Sequence, residues 1–311
     1  MKKFFTLIIA ALLLVTTSAY AETQEIDYSA IKAKTLKYSI AIEEFYSSLP
    51  QAKGKYKNRL RPILIEGALN IETNVLVKAL KNPVTYRDSK YLFIAGTYKN
   101  YPVVVVRTEQ GLANAATSTA LAIKMFNPVA VINQGTAGGT IPEAHVGNIV
   151  IGEKSFPASA FRAAYSAKGA GVDYTAQEMR GTYVYDETTN FFKPQGEYLA
   201  DKNLLEVSKK VADANSYFNV VTGAIGSADW WMSWLDYVSF LNEKYGMAAE
   251  EMETVAAAQI CHNMKIPFIG IRVISDNDSN DNEGYNPDVA DRSQRFVLLV
   301  VDAYIRDVLK K

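Results

Sequence analysis

The chain has 311 residues, is 49% hydrophobic and 21% charged, and balances 33 Lys plus Arg against 33 Asp plus Glu. That balance gives no global attraction to a phosphate backbone or to anionic lipid, and no dense Lys/Arg cluster supplies a local one, so nucleic acid and membrane surfaces are excluded as partners. The apolar content excludes disorder, and one cysteine (Cys261) with two histidines (His145, His262) can form neither an internal disulfide nor a Cys/His zinc site.

Lys2 and Lys3 precede an apolar run from Phe4 to Val15, and Ala19-Tyr20-Ala21 has the small-x-small pattern of a secretory cleavage site. Residues 1–21 therefore read as a signal peptide, and the mature chain is expected to begin at Glu22 in the periplasm or the medium. The apolar run is short for a bilayer span, and no cysteine stands at the cleavage point to take a lipid. Losing Lys2 and Lys3 leaves 31 basic against 33 acidic residues, a formal charge of −2.

Residues 22–61 form an extension. Tyr28 to Ser48 predicts one amphipathic helix with Ile31, Leu36, Ile40, Ile42 and Phe45 among its apolar positions, ended by Pro50. Lys53 to Arg61 reads as a solvated basic linker.

From Pro62 the pattern becomes short apolar runs alternating with helical stretches. Ile63 to Ile65, Tyr91 to Ala95, Val103 to Val106, Val129 to Ile132, Ile149 to Ile151, Val220 to Ile225 and Phe268 to Ile274 read as buried strands. Helices are predicted over Ile71 to Leu80, Leu112 to Phe126, Asp201 to Ala214, Trp234 to Tyr245, Thr254 to Met264 and Val289 to Leu309. Cys261 falls in the Ala-rich fifth helix and reads as a buried, inert thiol. Ser155 to Gln195 reads as an excursion of loops and short strands. The alternation predicts one α/β domain over 62–311, with a mixed, mainly parallel sheet covered by helices on both faces. In such sheets ligands bind at the carboxyl ends of the strands.

Four strand ends carry unusual polar groups. Gly67-Ala68-Leu69-Asn70-Ile71-Glu72 follows the first strand. Asn133-Gln134-Gly135-Thr136-Ala137-Gly138-Gly139 follows the fourth and reads as a glycine-rich turn that lets a ligand approach backbone N–H groups. Gly226-Ser227-Ala228-Asp229-Trp230-Trp231-Met232 brings two of three tryptophans to one strand end, either as a core or interface anchor or as a platform for a planar base. Glu250-Glu251-Met252-Glu253-Thr254 reads as the opening of a helix, where the dipole favours acids. Arg272-Val273-Ile274-Ser275-Asp276 then closes an apolar strand with a carboxylate, which costs desolvation unless something uses it.

Together with Val146-Gly147-Asn148-Ile149-Val150, these motifs in this order resemble the 5′-methylthioadenosine/S-adenosylhomocysteine nucleosidases of the purine nucleoside phosphorylase superfamily. The resemblance runs from Pro62 to the C-terminus and implies a three-layer α/β/α fold, a homodimer, no metal and no organic cofactor. It implies that Asp276 is the general acid toward N7 of adenine and that Glu72 orients and deprotonates the attacking water. Glu253 would bind the ribose hydroxyls, with Met252 under the sugar, Trp231 against the base and the Met232 backbone reading the adenine edge. Ser275 would hold Asp276, and Thr136, with Ala137 and Gly138, would line the substrate.

The resemblance also bears on the nucleophile. Phosphorylases of the superfamily hold phosphate partly through an Arg just before the glycine-rich turn, where this chain has Asn133. The acid Glu72 would repel a phosphate dianion, whereas a water nucleophile requires a base. Hydrolysis is therefore expected, with phosphorolysis or a non-catalytic exported nucleoside-binding protein as the alternatives. The chain departs from the family at Thr108-Glu109-Gln110-Gly111. Gln110 puts a polar group where the family packs an apolar residue against the 5′ tail of the substrate, and Glu109 is either part of that change or a solvated turn residue.

Overall fold

The computed structural model describes residues 33–35, 60–186, 188–280 and 283–309. The signal peptide at 1–21 and most of the predicted helix and linker lie outside the described residues. Within that stretch Ala33–Thr35 form a strand (β1) rather than helix, a correction to the sequence reading at those three positions. β1 pairs in parallel with Lys81–Asp88 (β3), whose edge offers backbone donors and acceptors that a strand can satisfy and a helix cannot.

Every apolar run predicted as a strand is one: Ile63–Gly67 (β2), Tyr91–Tyr98 (β4), Tyr101–Arg107 (β5), Ala130–Gly139 (β6), Ile149–Pro157 (β7), Val220–Ser227 (β13) and Phe268–Asp276 (β15). Two further strands lack an apolar run to betray them. β3 is polar and half-exposed and is held as a hairpin with β4, through a turn at Ser89. Met247–Glu251 (β14) has no β-branched residue and owes its strand form to backbone pairing with β13 on one side and β6 on the other. The excursion after β7 holds two small hairpins, Phe161–Arg162 (β8) with Glu178–Met179 (β9) and Thr182–Asp186 (β10) with Phe191–Gln195 (β11), before Tyr198–Leu199 (β12) returns to β7.

The main sheet runs β1-β3-β4-β5-β2-β6 and then curls. β6, β14, β13, β7 and β15 each pair with the next, and β15 pairs back to β6, so five strands close on themselves. Closure brings the ends of β6, β14, β13 and β15 together.

Six helices stand close to their predicted bounds: Asn70–Ala79 (α1), Leu112–Phe126 (α2), Lys202–Ala214 (α3), Leu235–Tyr245 (α4), Thr254–Met264 (α5) and Ala290–Tyr304 (α6). The last is continued by a π-helical turn, Ile305–Leu309. Local chemistry sets the ends. Asp201 caps α3 by accepting the N–H groups of Asn203 and Leu204, each at 3.0 Å. Gly246 ends α4 in the left-handed region.

Alternation along the strands sorts the core into two layers. Ile63 and Ile65 of β2 pack with Leu76, Val207, Phe296 and Val300 of α1, α3 and α6. Leu64 between them packs with Phe126, Ala257 and Cys261 of α2 and α5 on the other face. Each such buried Leu or Ile contributes about 1.5–3 kcal/mol, which fixes the strand register. Cys261 is fully buried, and burial pushes its thiol well above the ordinary range, as expected for an inert core residue. Phe156, at the start of the excursion after β7, is fully buried in a third core cluster with Met232, Tyr237 and Met247.

Candidate active site

Glu72 lies in the first turn of α1, immediately after β2, where the helix N-terminus favours a carboxylate. Its Oε2 accepts the N–H groups of Ala68 (2.9 Å) and Leu69 (3.0 Å). Its Oε1 accepts the N–H of Thr136 at 2.8 Å and the Thr136 hydroxyl at 2.9 Å. Four donors thus fill the four lone-pair directions of one carboxylate. Gly135 makes this approach possible, since a Cβ there would lie 2.7 Å from Glu72 Oε1. The stretch expected as a glycine-rich turn is in fact the second half of β6: its glycines serve close approach within a strand.

Glu253 precedes α5, and its Oε1 accepts the N–H of Gly111 at 2.7 Å. Burial, with Glu251 and Glu72 near, pushes its carboxyl up. Met252 and Gln110 face the same cavity, the Gln110 amide donating to Met252 Sδ at 3.2 Å. Glu109 does not line it; it pairs with Arg107 at 2.8 Å.

The opposite end is built from β15, β14 and the segment after β13. Asp276 ends β15 with its carboxyl held above the ordinary value by burial. The Ser275 hydroxyl lies 2.7 Å from Asp276 Oδ1. A Cβ on Gly138 would lie 2.7 Å from Glu250 Oε1 and 3.4 Å from Asp276 Oδ2, so the two carboxyls share the wall that this glycine leaves open. Glu250 is pushed up to about 8 by burial and then by the neighbouring Asp276 and Glu251. Trp231 is 58% exposed and its ring is available to a flat ligand, with Tyr285 edge-on at 5.8 Å. Trp230 stacks on Tyr237 at 5.7 Å and also borders the cavity.

A buried polar network supports both ends. Arg272, fully buried, pairs with Glu251 and donates to Asn133 Oδ1. Glu251 also accepts from the Ser227 hydroxyl and from the N–H groups of Glu253 (3.0 Å) and Thr254 (2.9 Å), which fixes the start of α5. Asn133 donates to Glu66 Oε2 at 3.1 Å, and the Thr119 hydroxyl donates to Glu66 Oε1 at 2.8 Å. Burial lifts Glu66 to about 7.

The network makes stability depend on pH with a definite sign. Glu66 and Glu250 hold protons more tightly folded than unfolded, so their contribution is complete below the ordinary carboxyl range and is lost as pH rises through about 7 and about 8. Glu251, lowered by Arg272, acts only in the acid direction. Stability is therefore expected to fall between pH 5 and pH 8 by up to about 1.4 kcal/mol per pH unit for each such group. Glu66→Gln should flatten the profile in thermal melts at stepped pH; an unchanged slope would contradict the assignment.

Of the residues singled out by sequence, Glu72, Gln110, Thr136, Met252 and Glu253 line one end of a single cavity. Ala137, Gly138, Trp231, Ser275 and Asp276 line the other. Met232 does not border it: its side chain is buried in the third cluster. Sequence reasoning missed Glu250 as a cavity residue, having placed it at a helix start where it is in β14, and it missed Tyr285 and Trp230. Strand parity would have separated Glu250 from Glu251, since successive strand residues face opposite sides. Asn133 is buried beneath the site and does not border the cavity.

Residues 62–306 match the family profile of the phosphorylase superfamily. A 5′-methylthioadenosine/S-adenosylhomocysteine nucleosidase of Bacillus cereus is 31% identical over 215 residues, covering 69% of this chain and 85% of the relative. Among solved structures, the nucleosidase of the same name from Colwellia psychrerythraea, in complex with adenine, superposes with a TM-score of 0.63 at 27% identity, covering 78% of this chain and 96% of that one. The Neisseria meningitidis nucleosidase in complex with methylthio-immucillin-A shares the fold at a TM-score of 0.65 and 24% identity, covering 78% of this chain and all of that one.

Proposed function

The chain belongs to the phosphorylase superfamily, with methylthioadenosine/S-adenosylhomocysteine nucleosidases as its relatives, and on that footing we propose that it hydrolyses the N-glycosidic bond of a 5′-substituted adenine nucleoside and releases adenine. The observation that carries the choice of water over phosphate is the lining of the cavity. Glu72, Glu250, Glu251, Glu253 and Asp276 border it, and no Lys, Arg or His does among the described residues. A phosphate dianion beside the Glu72 carboxylate would meet a repulsion of about 4 kcal/mol per charge pair at 4 Å in a partly shielded site, with no cation among the described residues lining the cavity to contact it.

The geometry then distributes the work. An N-glycosidic bond breaks through an oxocarbenium-like state, and the base leaves readily only if N7 gains a proton as the bond stretches. Burial holds the Asp276 carboxyl above its ordinary range, which favours the proton-bearing form. Donation from Ser275 occupies Oδ1 and directs the acidic proton to Oδ2, the oxygen toward the Gly138 wall. At the other end Glu72 faces the developing positive charge and receives a proton from water. For water to donate to it, one of the four present donors must yield, and the Thr136 hydroxyl is the one that can rotate away. Glu253 and Met252 take the sugar, and Trp231 takes the base.

Gln110 faces the sugar end, which favours a polar 5′ substituent over methylthio. A panel of 5′-substituted adenosines in phosphate-free buffer tests both points. Adenine release without phosphate is expected, and Gln110→Leu should raise the kcat/KM ratio of methylthioadenosine to adenosine by ~10-fold, the worth of about one buried methylene. Turnover strictly dependent on phosphate, tight binding with no turnover, or an unchanged ratio would count against the respective parts.

Cleavage after Ala21 would make this an exported activity. For the homodimer we propose the β10–β11 hairpin as a contact surface, since Tyr183, Tyr185, Phe191 and Phe192 are all exposed there.

A further inference from the structure

The turn that brings Gln110 to the cavity is built on an uncommon backbone conformation. Glu109 has a φ of 62°, in the left-handed region that a residue with a Cβ disfavours and a glycine enters freely. Thr108 before it is pinned to Gly67 O by its N–H at 2.9 Å, so the bend falls on Glu109. The next two residues belong to the sugar end. Gln110 lines the cavity, and Gly111 donates its N–H to Glu253 Oε1 at 2.7 Å. Were Glu109 to relax out of the left-handed region, both would be displaced.

Arg107, at the end of β5, is placed to hold that bend. Its Nε donates to Glu109 Oε1 at 3.0 Å, and its Nη2 lies 2.8 Å from the same oxygen. Its Nη1 donates to Asn70 Oδ1 at 3.0 Å. Asn70 opens α1 beside Leu69, whose N–H goes to Glu72 Oε2. One guanidinium therefore ties the turn entering α2 to the entry of α1. Its side chain is 19% exposed, so these contacts are less screened than on an open surface. Arg107 and Glu109 do not border the cavity, and any effect they have on the substrate is passed through Gln110 and Gly111.

Resting on the hydrolase reading above, we propose that Arg107 is a positioning residue for the sugar end: through Glu109 it holds the left-handed turn that aims Gln110 at the substrate and delivers the Gly111 N–H to Glu253. Glu72 is anchored separately by Thr136 in β6, so loss of Arg107 weakens substrate binding and leaves water activation in place. The weakening follows from population. Affinity falls in proportion to the fraction of molecules whose turn is formed.

The test compares Arg107→Met, Glu109→Ala, Glu109→Gly and the double variant Arg107→Met/Glu109→Gly. Each is read as kcat and KM for adenosine, and as the Kd of adenosine in an Asp276→Asn background. Arg107→Met and Glu109→Ala should each raise KM and Kd by ~10-fold, the factor that a left-handed non-glycine residue imposes once nothing holds it. Their kcat should stay within ~3-fold of the wild type, the pattern of a loss confined to binding. Glu109→Gly should stay within ~3-fold in KM and Kd, because glycine takes left-handed and right-handed backbone about equally. In the double variant the glycine should recover most of what Arg107→Met lost. A pair that only stabilises the surface would leave KM and Kd unchanged in Arg107→Met, or would make Glu109→Ala and Glu109→Gly equal, and either result overturns the proposal. A wild type that binds adenosine without cleaving it would refute the hydrolase reading, and the Kd series would still decide the role of Arg107.

Discussion

Asp276→Asn is expected to lower adenine release by about a thousandfold, within the range that a positioned general acid contributes, while leaving KM within a few-fold. The asparagine amide keeps the shape of the side chain and can still accept from Ser275 Oγ, now 2.7 Å from Oδ1. It can donate a hydrogen bond toward N7 but cannot give up a proton there as the bond breaks. The loss should therefore sit in kcat, the mark of an interaction made only in the transition state. The pH profile adds a second check. Burial raises Asp276, so the acid form persists above the ordinary carboxyl range, and activity in the wild type should fall only as pH rises through that raised value. A variant that keeps wild-type kcat would remove Asp276 from the chemistry.

Glu72→Gln should be as damaging, by about a hundred- to a thousandfold in kcat, and for a different reason. Glu72 accepts four hydrogen bonds, two of them from backbone N–H groups of the loop entering α1 and one from the Thr136 N–H in β6. A glutamine presents an NH2 group to one of those donor pairs, so the variant loses both the base and the fit between α1 and β6. A fall in melting temperature should accompany the loss of activity, which distinguishes this variant from Asp276→Asn. Thr136→Ala removes the single donor that must yield to water and should preserve the fold. If Glu72→Gln retained kcat with water as nucleophile, water activation would have to come from elsewhere in the cavity.

Much of this was legible in the sequence because local pattern and final environment agree. The strands with Val and Ile runs are the central ones, buried on both faces, so their composition reports their position directly. Helices such as α2 and α5 carry unbroken Ala-rich stretches and match their predicted bounds. What escaped is structure imposed by partners. β14 is Met-Ala-Ala-Glu-Glu, with no intrinsic strand preference, and it exists because β6 and β13 flank it. Misplacing it hid the separation of Glu250 from Glu251. The glycines of β6 look like a turn in one dimension, and in three dimensions they are points of close approach to the carboxyls of Glu72, Glu250 and Asp276. Asp276, by contrast, announced itself, because a carboxylate closing an apolar strand has few explanations besides use.

The most direct test of the central claim follows the oxygen that ends on the sugar. Purified protein is given adenosine in heavy-oxygen water with inorganic phosphate present, and the sugar product is examined by mass spectrometry under conditions where ring opening does not exchange the label. Free ribose carrying heavy oxygen at its anomeric carbon, formed together with one adenine per sugar, is the expected result. Ribose 1-phosphate, or adenosine recovered intact, would contradict it.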